Sequence, residues 1–249
     1  TRMRLGEFDP EDMNPYNKID MSEVQSLAHR ELAVRAAMES FVLLKNRFGM
    51  LPLKGVVDKV AIVGPFANNT DQIFGDYGSQ VVPEYTKTVY DGLKSLGHTA
   101  SMASGCDDTK CEHYNWEDVE KAVRDANLVI VCLGTGQAVE SESNDRASLD
   151  LPGKQLQLLQ DAAFWAEFHR AHVILLLFNA GPLDITWAKL SERVPTIMEC
   201  FFPAQSTGEA LYNVLTMTGN HSVPAGRLPA TWPAFLDQVP PITDYTMEG

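Results

Sequence analysis

Residues 128–155 read LVIVCLGTGQAVESESNDRASLDLPGKQ. The first six, Leu128 to Leu133, are apolar without a break, the pattern of a strand buried on both faces rather than one with a wet side. Glu140, Glu142, Asp145 and Asp150 follow within a few residues, with Arg146 among them. Working outward, Val60 to Val63, Thr99 to Ala103, Val173 to Phe178 and Ile197 to Phe202 also read as strands. Between them lie amphipathic stretches: Thr88 to Leu96, Trp116 to Ala126 with Asn115 as cap, Pro152 to His169 with proline in its first turn, and Thr207 to Met217. Ser22 and Gln25 have capping-box spacing, and the apolar positions after them predict a helix running to about Asn46. Unalternated strands separated by helices indicate a doubly wound α/β fold, a mostly parallel sheet covered on both faces. In such sheets ligands bind beyond the carboxyl ends of the strands, which is where the acidic loop falls.

With 249 residues, 33 acidic and 20 basic, the chain carries a net charge of −13. That balance repels phosphate backbones and anionic lipid surfaces and argues against nucleic acid and membrane as partners. No run approaches the length of a membrane helix. The start, Thr1 to Pro10, has no basic stretch followed by an apolar one, so it does not read as a signal peptide and looks like a mid-chain beginning. Residues 1–21, rich in Asp, Glu, Asn and Pro without periodicity, read as a linker or arm, and 22–249 as the domain. Cys132 and Cys200 lie in apolar runs and read as small buried hydrophobes. Cys106 and Cys111 bracket a polar loop, and their spacing allows a small disulfide in an oxidising compartment. Sequons at Asn68 and Asn220 point the same way, toward an extracellular or vesicular location.

Several chemistries drop out. The first strand ends in Gly64-Pro65 without the glycine fingerprint of a dinucleotide site, and Gly134-Thr135-Gly136 lacks its third glycine. There is no phosphate-binding G-K-[ST] and no G-x-S-x-G nucleophile elbow. His169 and His172 are three apart with no obvious carboxylate ligand beside them, which reads as capping or solvent exposure rather than a metal site. For the acidic loop the plain alternative is a solvated segment in which Arg146 pairs with Asp145 or another neighbour. Its position at the ligand-binding end of a buried strand, with carboxylates crowded together, makes it instead a candidate for general acid chemistry.

The segment ESESNDRASLDLPGKQ meets every fixed position of E-x-E-x-x-D-R-x-x-L-x-L-P-G-x-Q, and so resembles the C-terminal α/β sandwich domain of glycoside hydrolase family 3, most closely its β-xylosidase and arabinofuranosidase branch. RLGEFDP resembles the linker leaving the family's catalytic barrel, and ESFVLLKNRFGMLPL its domain start. VAIVGP resembles its first strand, GDYG the loop after it, GCDDTKC the cysteine pair of the branch, and AGRLPATWP its closing segment. The resemblance implies a three-layer α/β/α sandwich and a retaining β-glycosidase acting on xylosides or related small glycosides, without metal or organic cofactor. Two carboxyl groups do the work: a nucleophile on a preceding (β/α)8 barrel, absent here, and an acid/base on this domain. Glu142 matches the acid/base, with Glu140 as runner-up; Asp145 and Arg146 would hold the loop, and Asp76 and Tyr77 are substrate-loop candidates. Alone, the chain is expected to be inactive. Two departures stand out. Gly136 replaces an aspartate usual in the branch, and PAQSTGEA is poorer in glycine than the family form. A chain that kept the fold but lost catalysis, acting in carbohydrate binding or as a structural protein, is the alternative.

Overall fold

The computed structural model describes residues 1–241 and 243–246. Six strands, β1 (Val42–Asn46), β2 (Val57–Val63), β3 (Gly97–Ala103), β4 (Leu128–Gly134), β5 (His172–Phe178) and β6 (Thr196–Glu199), form one sheet in the order β1-β6-β5-β4-β2-β3. Five are parallel; β1 runs antiparallel along β6 at one edge. The helices are α1 (Leu27–Ser40), α2 (Val89–Leu93), α3 (Trp116–Val123), α4 (Gln155–Phe168), α5 (Thr186–Leu190) and α6 (Thr207–Thr216).

The unbroken apolar strands make sense as two interleaved sets. Val129, Val131, Leu133, Val173, Leu175 and Leu177 enter one core with α3 and α4, while Ile130, Cys132, Ile174, Leu176 and Phe178 enter another with α1, α2 and α6. Side chains alternate across a strand, so a strand covered by helices on both sides needs apolar residues at every position. The chain winds outward from β2 in both directions, to β3 on one side and to β4, β5 and β6 on the other. The crevice between the carboxyl ends of β2 and β4 is therefore the topological switch point of the sheet.

The expected helix from Ser22 to Asn46 is corrected. Gln25 has φ 60°, incompatible with a helix through it; the actual cap is Ser26, whose Oγ accepts from the His29 amide at 3.4 Å. The helix stops at Ser40. Phe41 turns extended and fully buried, and residues 42–46 pair with β6 as a strand. Here sheet pairing overrode an apolar spacing that suits either element. The short helix α5 had no sequence signal. The predicted Pro152 helix begins at Gln155, and the last strand ends at Glu199 rather than Phe202.

That early strand end has a backbone cause. Phe201 (φ 54°), just past the strand end, and Ala204 (φ 53°), in the segment poorer in glycine than the family form, both occupy the left-handed region. A non-glycine residue there costs about 1–2 kcal/mol, against which glycine loses roughly 0.5–1 kcal/mol through its freer unfolded chain. Ala204→Gly is thus expected to raise stability by about 0.5–1 kcal/mol, seen as a higher urea midpoint at unchanged slope. A lower midpoint would contradict the strain reading.

Candidate active site

The loop after β4 is anchored before it becomes acidic. Gly134 ends the strand so close to β5 that a Cβ on it would stand 1.9 Å from the Phe178 carbonyl oxygen. The fully buried Gln155 then closes on the same glycine from the start of α4. Its Oε1 accepts from the Gly134 amide at 2.9 Å, and its Nε2 donates to the Gly134 carbonyl at 2.8 Å and the Thr109 carbonyl at 2.7 Å. Thr109 lies in the small loop closed by the Cys106–Cys111 disulfide. Gln155, the last fixed position of the sequence pattern, therefore ties strand end, helix start and disulfide loop together.

The two glutamates two residues apart have different surroundings. Glu140 is committed: its Oε1 accepts from the Thr135 hydroxyl at 2.7 Å and the Ala180 amide at 3.2 Å, and its Oε2 accepts from Arg146 Nε at 2.6 Å. Both partners are largely covered, with side chains 13% (Arg146) and 19% (Glu140) exposed, and Arg146 also donates to the Pro182 carbonyl at 3.0 Å. Burial pushes the Glu140 carboxyl up, but Thr135, Arg146 and Ala180 together outweigh it and hold it below the usual carboxylate range. The crowding expected from sequence to keep a carboxyl protonated thus does not act on Glu140. Arg146 is paired with Glu140, not with Asp145, which is exposed.

Glu142 stands at the tip of a tight turn. Ser141 and Asn144 exchange backbone hydrogen bonds at 3.1 and 2.9 Å across it, and Ser143 takes φ 65° to close it. Its side chain is exposed, and among the described residues no cation pairs with it. The turn leans on the loop after β2: Asp76 Oδ2 accepts from the Glu142 amide at 2.6 Å, and the nearby Glu142 carboxylate pushes the Tyr77 hydroxyl above its usual range. Asp76 and Tyr77 therefore lie against Glu142. Sequence reasoning placed all three at the same end of the sheet but had no means of pairing them.

Gly136 also finds a local account. It has φ 70°, and a Cβ on it would meet Gln72 Oε1 at 2.5 Å. That oxygen accepts from the Ala138 amide at 3.3 Å, so the side chain of Gln72 fills the space a residue at 136 would otherwise enter. A cavity of about 740 Å³ lined by Ser101, Asp107, His113, Asn115, Asp118 and Lys121 opens beside β3 and α3, and neither Glu140 nor Glu142 lines it. Around Glu142 itself the surface is open. Among the described residues no group of histidine, cysteine or carboxylate side chains is placed to hold a metal ion, and His169 faces Asp125 at 3.7 Å. No helix among them is long and apolar enough to cross a membrane.

Fold and site together define a doubly wound α/β sandwich that presents one uncommitted carboxyl at its switch point. The glycosyl hydrolase family 3 C-terminal domain matches residues 41–248. The chain is 36% identical over 245 residues to a beta-xylosidase/alpha-L-arabinofuranosidase of Medicago sativa subsp. varia, covering 96% of this chain and 30% of that protein. It is 35% identical over 247 residues to a probable exo-1,4-beta-xylosidase of Aspergillus flavus, covering 98% of this chain and again 30% of the relative. Among solved structures it is similar to a GH3 exo-beta-xylosidase in complex with a xylobiose aziridine activity-based probe. There the TM-score is 0.77 and the identity 29%, over 87% of this chain and 27% of that one. A beta-glucosidase from Listeria innocua in complex with glucose gives a TM-score of 0.78 and 27% identity over 96% of this chain and 31% of that one. The chain belongs to glycosyl hydrolase family 3, as its C-terminal α/β sandwich domain. It spans under a third of the length of these relatives.

Proposed function

We propose that this chain carries the acid/base of a retaining β-glycosidase of β-xylosidase type, completed by a (β/α)8 barrel of the same protein that supplies the nucleophile and most of the sugar pocket. The observation that carries the reading is the contrast between Glu140, committed to Arg146, Thr135 and Ala180, and Glu142, exposed at the tip of a turn. A proton donor to a glycosidic oxygen has to project toward a substrate held by another domain, and Glu142 projects. Glu140 and Arg146 instead brace the loop against the end of β5.

In the retaining reaction a carboxylate about 5 to 5.5 Å from the acid/base attacks the anomeric carbon. The proton of Glu142 passes to the glycosidic oxygen as the bond to it breaks, and the leaving alcohol departs. Ionised Glu142 then takes a proton from the water that hydrolyses the glycosyl–enzyme ester, and the cycle closes. Residues 1–21 are the arm from the barrel. The exposed asparagines of both sequons and the Cys106–Cys111 disulfide support a secreted glycoprotein, extracellular or vesicular.

The test is release of nitrophenol from aryl β-xyloside, β-glucoside and α-arabinofuranoside by this chain alone and by the chain joined to its barrel. Turnover only in the joined form supports the split site, and the preferred glycoside names the sugar. Silence in both, with the protein folded, would move the reading to a domain that binds carbohydrate or partners without catalysis.

A further inference from the structure

The loop after β5 is bonded to the loop after β4 along its length. The Ala180 amide donates to Glu140 Oε1 at 3.2 Å, Arg146 Nη2 donates to the Pro182 carbonyl at 3.0 Å, and the Asp184 amide donates to the Leu149 carbonyl at 2.7 Å. Glu140 and Arg146 are the legs of the turn that carries Glu142, with Ser141 and Asn144 bonded to each other across it. Whatever fixes the legs fixes where the tip points. The two anchors flank one residue: Ala180 N–H and Pro182 C=O lie on either side of Gly181, whose own carbonyl accepts from Asn179 Nδ2 at 2.7 Å. Asn179 is fully buried, and its side chain bonds its own backbone two residues on, as asparagine does when it shapes a turn.

We infer that Asn179 is a positioning residue for the acid/base. By holding the Gly181 carbonyl it shapes the turn that presents the Ala180 amide to Glu140 and the Pro182 carbonyl to Arg146, and through that pair it sets the direction of Glu142. The inference rests on the reading of Glu142 as the acid/base. Asn179, having no exposed surface, does not reach a sugar or a solvent proton. What it controls is placement. Catalytic groups have to be held within about 0.5 Å of the productive geometry, and a misplacement of about 1 Å from a change far from the chemistry can cost about 10²-fold. Glu142 stands only two residues beyond Glu140, so a shift of the base is carried to the tip.

The test is the dependence of kcat/KM on the leaving group in the barrel-bearing protein. That ratio covers the steps up to the glycosyl–enzyme, where a misplaced proton donor hurts poor leaving groups and spares those that depart without a proton. Asn179→Ala is expected to lower kcat/KM about 10- to 100-fold on aryl glycosides with poor leaving groups, and less than about threefold on the dinitrophenyl glycoside. A purely structural role gives no such slope: an equal fall on all leaving groups, or an unchanged ratio, overturns the inference. Gly181→Ala repeats the test without emptying a buried position. A Cβ there would stand 3.2 Å from Arg146 Nη2, so the guanidinium has to give by a few tenths of an ångström. The same slope is expected at smaller size, and a flat response in Gly181→Ala overturns the inference even where Asn179→Ala does not fold. The two readings fail separately. A Glu142→Gln variant without leaving-group dependence removes the acid/base assignment, whereas that dependence in Glu142→Gln with none in the Asn179 and Gly181 variants removes only the positioning role.

Discussion

Glu142→Gln in the barrel-bearing protein is expected to lower turnover of glycosides with poor leaving groups by about 10²–10⁴-fold, the usual worth of general acid–base catalysis. Glutamine keeps the size and the backbone contact to Asp76 but has no proton of suitable acidity to give. Leaving groups that are already good, such as dinitrophenolate, depart without protonation, so the first chemical step on those substrates is hurt far less. Stability is unaffected, because the Glu142 side chain is exposed and, among the described residues, no cation pairs with it. Glu140→Gln has the reverse signature. It removes the charge opposite a largely buried Arg146 and weakens three hydrogen bonds. Losing one partner of a buried pair costs about 3–5 kcal/mol; both side chains here keep some contact with water, so about 2 kcal/mol is expected. Denaturant unfolding and steady-state kinetics on both variants separate the roles. If Glu140→Gln lost the turnover on poor leaving groups at unchanged stability while Glu142→Gln kept it, the two assignments would exchange.

The legible part of this architecture was the part set by local pattern. Leu128 to Leu133 and Val173 to Phe178 had to be strands buried on both faces, because six consecutive apolar residues fit no amphipathic element, and the structure splits them between two cores. Asn115 was readable as a cap and accepts the amides of Glu117 and Asp118, while Thr88, read as the start of its helix, is in fact the cap that accepts from Asp91. What failed depended on distant partners. Residues 42–46 became a strand only because β6 offered an edge, and Gln25 broke the expected helix through a left-handed backbone that no spacing announces. The same limit applies at the site. Glu140 and Glu142 are equivalent on a linear pattern; Arg146, Thr135 and Ala180 distinguish them, and of these Ala180 lies forty residues away at the end of β5. Gln155 was visible as a fixed position of the motif, but its task of bonding both polar groups of Gly134 belongs to the fold.

Glu199→Gln is expected to make the protein more stable at neutral and alkaline pH and to remove a pH dependence that the wild type shows there. Glu199 ends β6 with no exposed surface, and its Oε1 accepts from the Phe201 amide at 2.8 Å. Burial pushes its carboxyl well above the usual range, outweighing the Phe201 amide and the Asn179 side chain, which act in the other direction. Among the described residues Glu199 Oε2 and Asn179 Oδ1 are both buried without a hydrogen-bond partner; a proton on Glu199 Oε2 makes it a donor, with Asn179 Oδ1 as the open acceptor. The sign follows from linkage. The folded state holds this proton to higher pH than the unfolded chain does, so the contribution of Glu199 is complete below the ordinary glutamate range. It is lost as pH rises from that range through the folded value, by up to about 1.4 kcal/mol per pH unit. Carboxyls held low, such as Glu140 and Asp91, work oppositely and in acid, so the difference between wild type and variant isolates Glu199. Glutamine places a permanent donor against Asn179 and keeps the acceptor for Phe201, which flattens the curve. Urea midpoints from pH 4 to 9 on both proteins decide it, and parallel curves would mean that Glu199 is ionised in the fold. Glu199 also lies close to the site in the chain path: Asn179, whose side chain acts on it, immediately precedes Ala180, whose amide donates to Glu140.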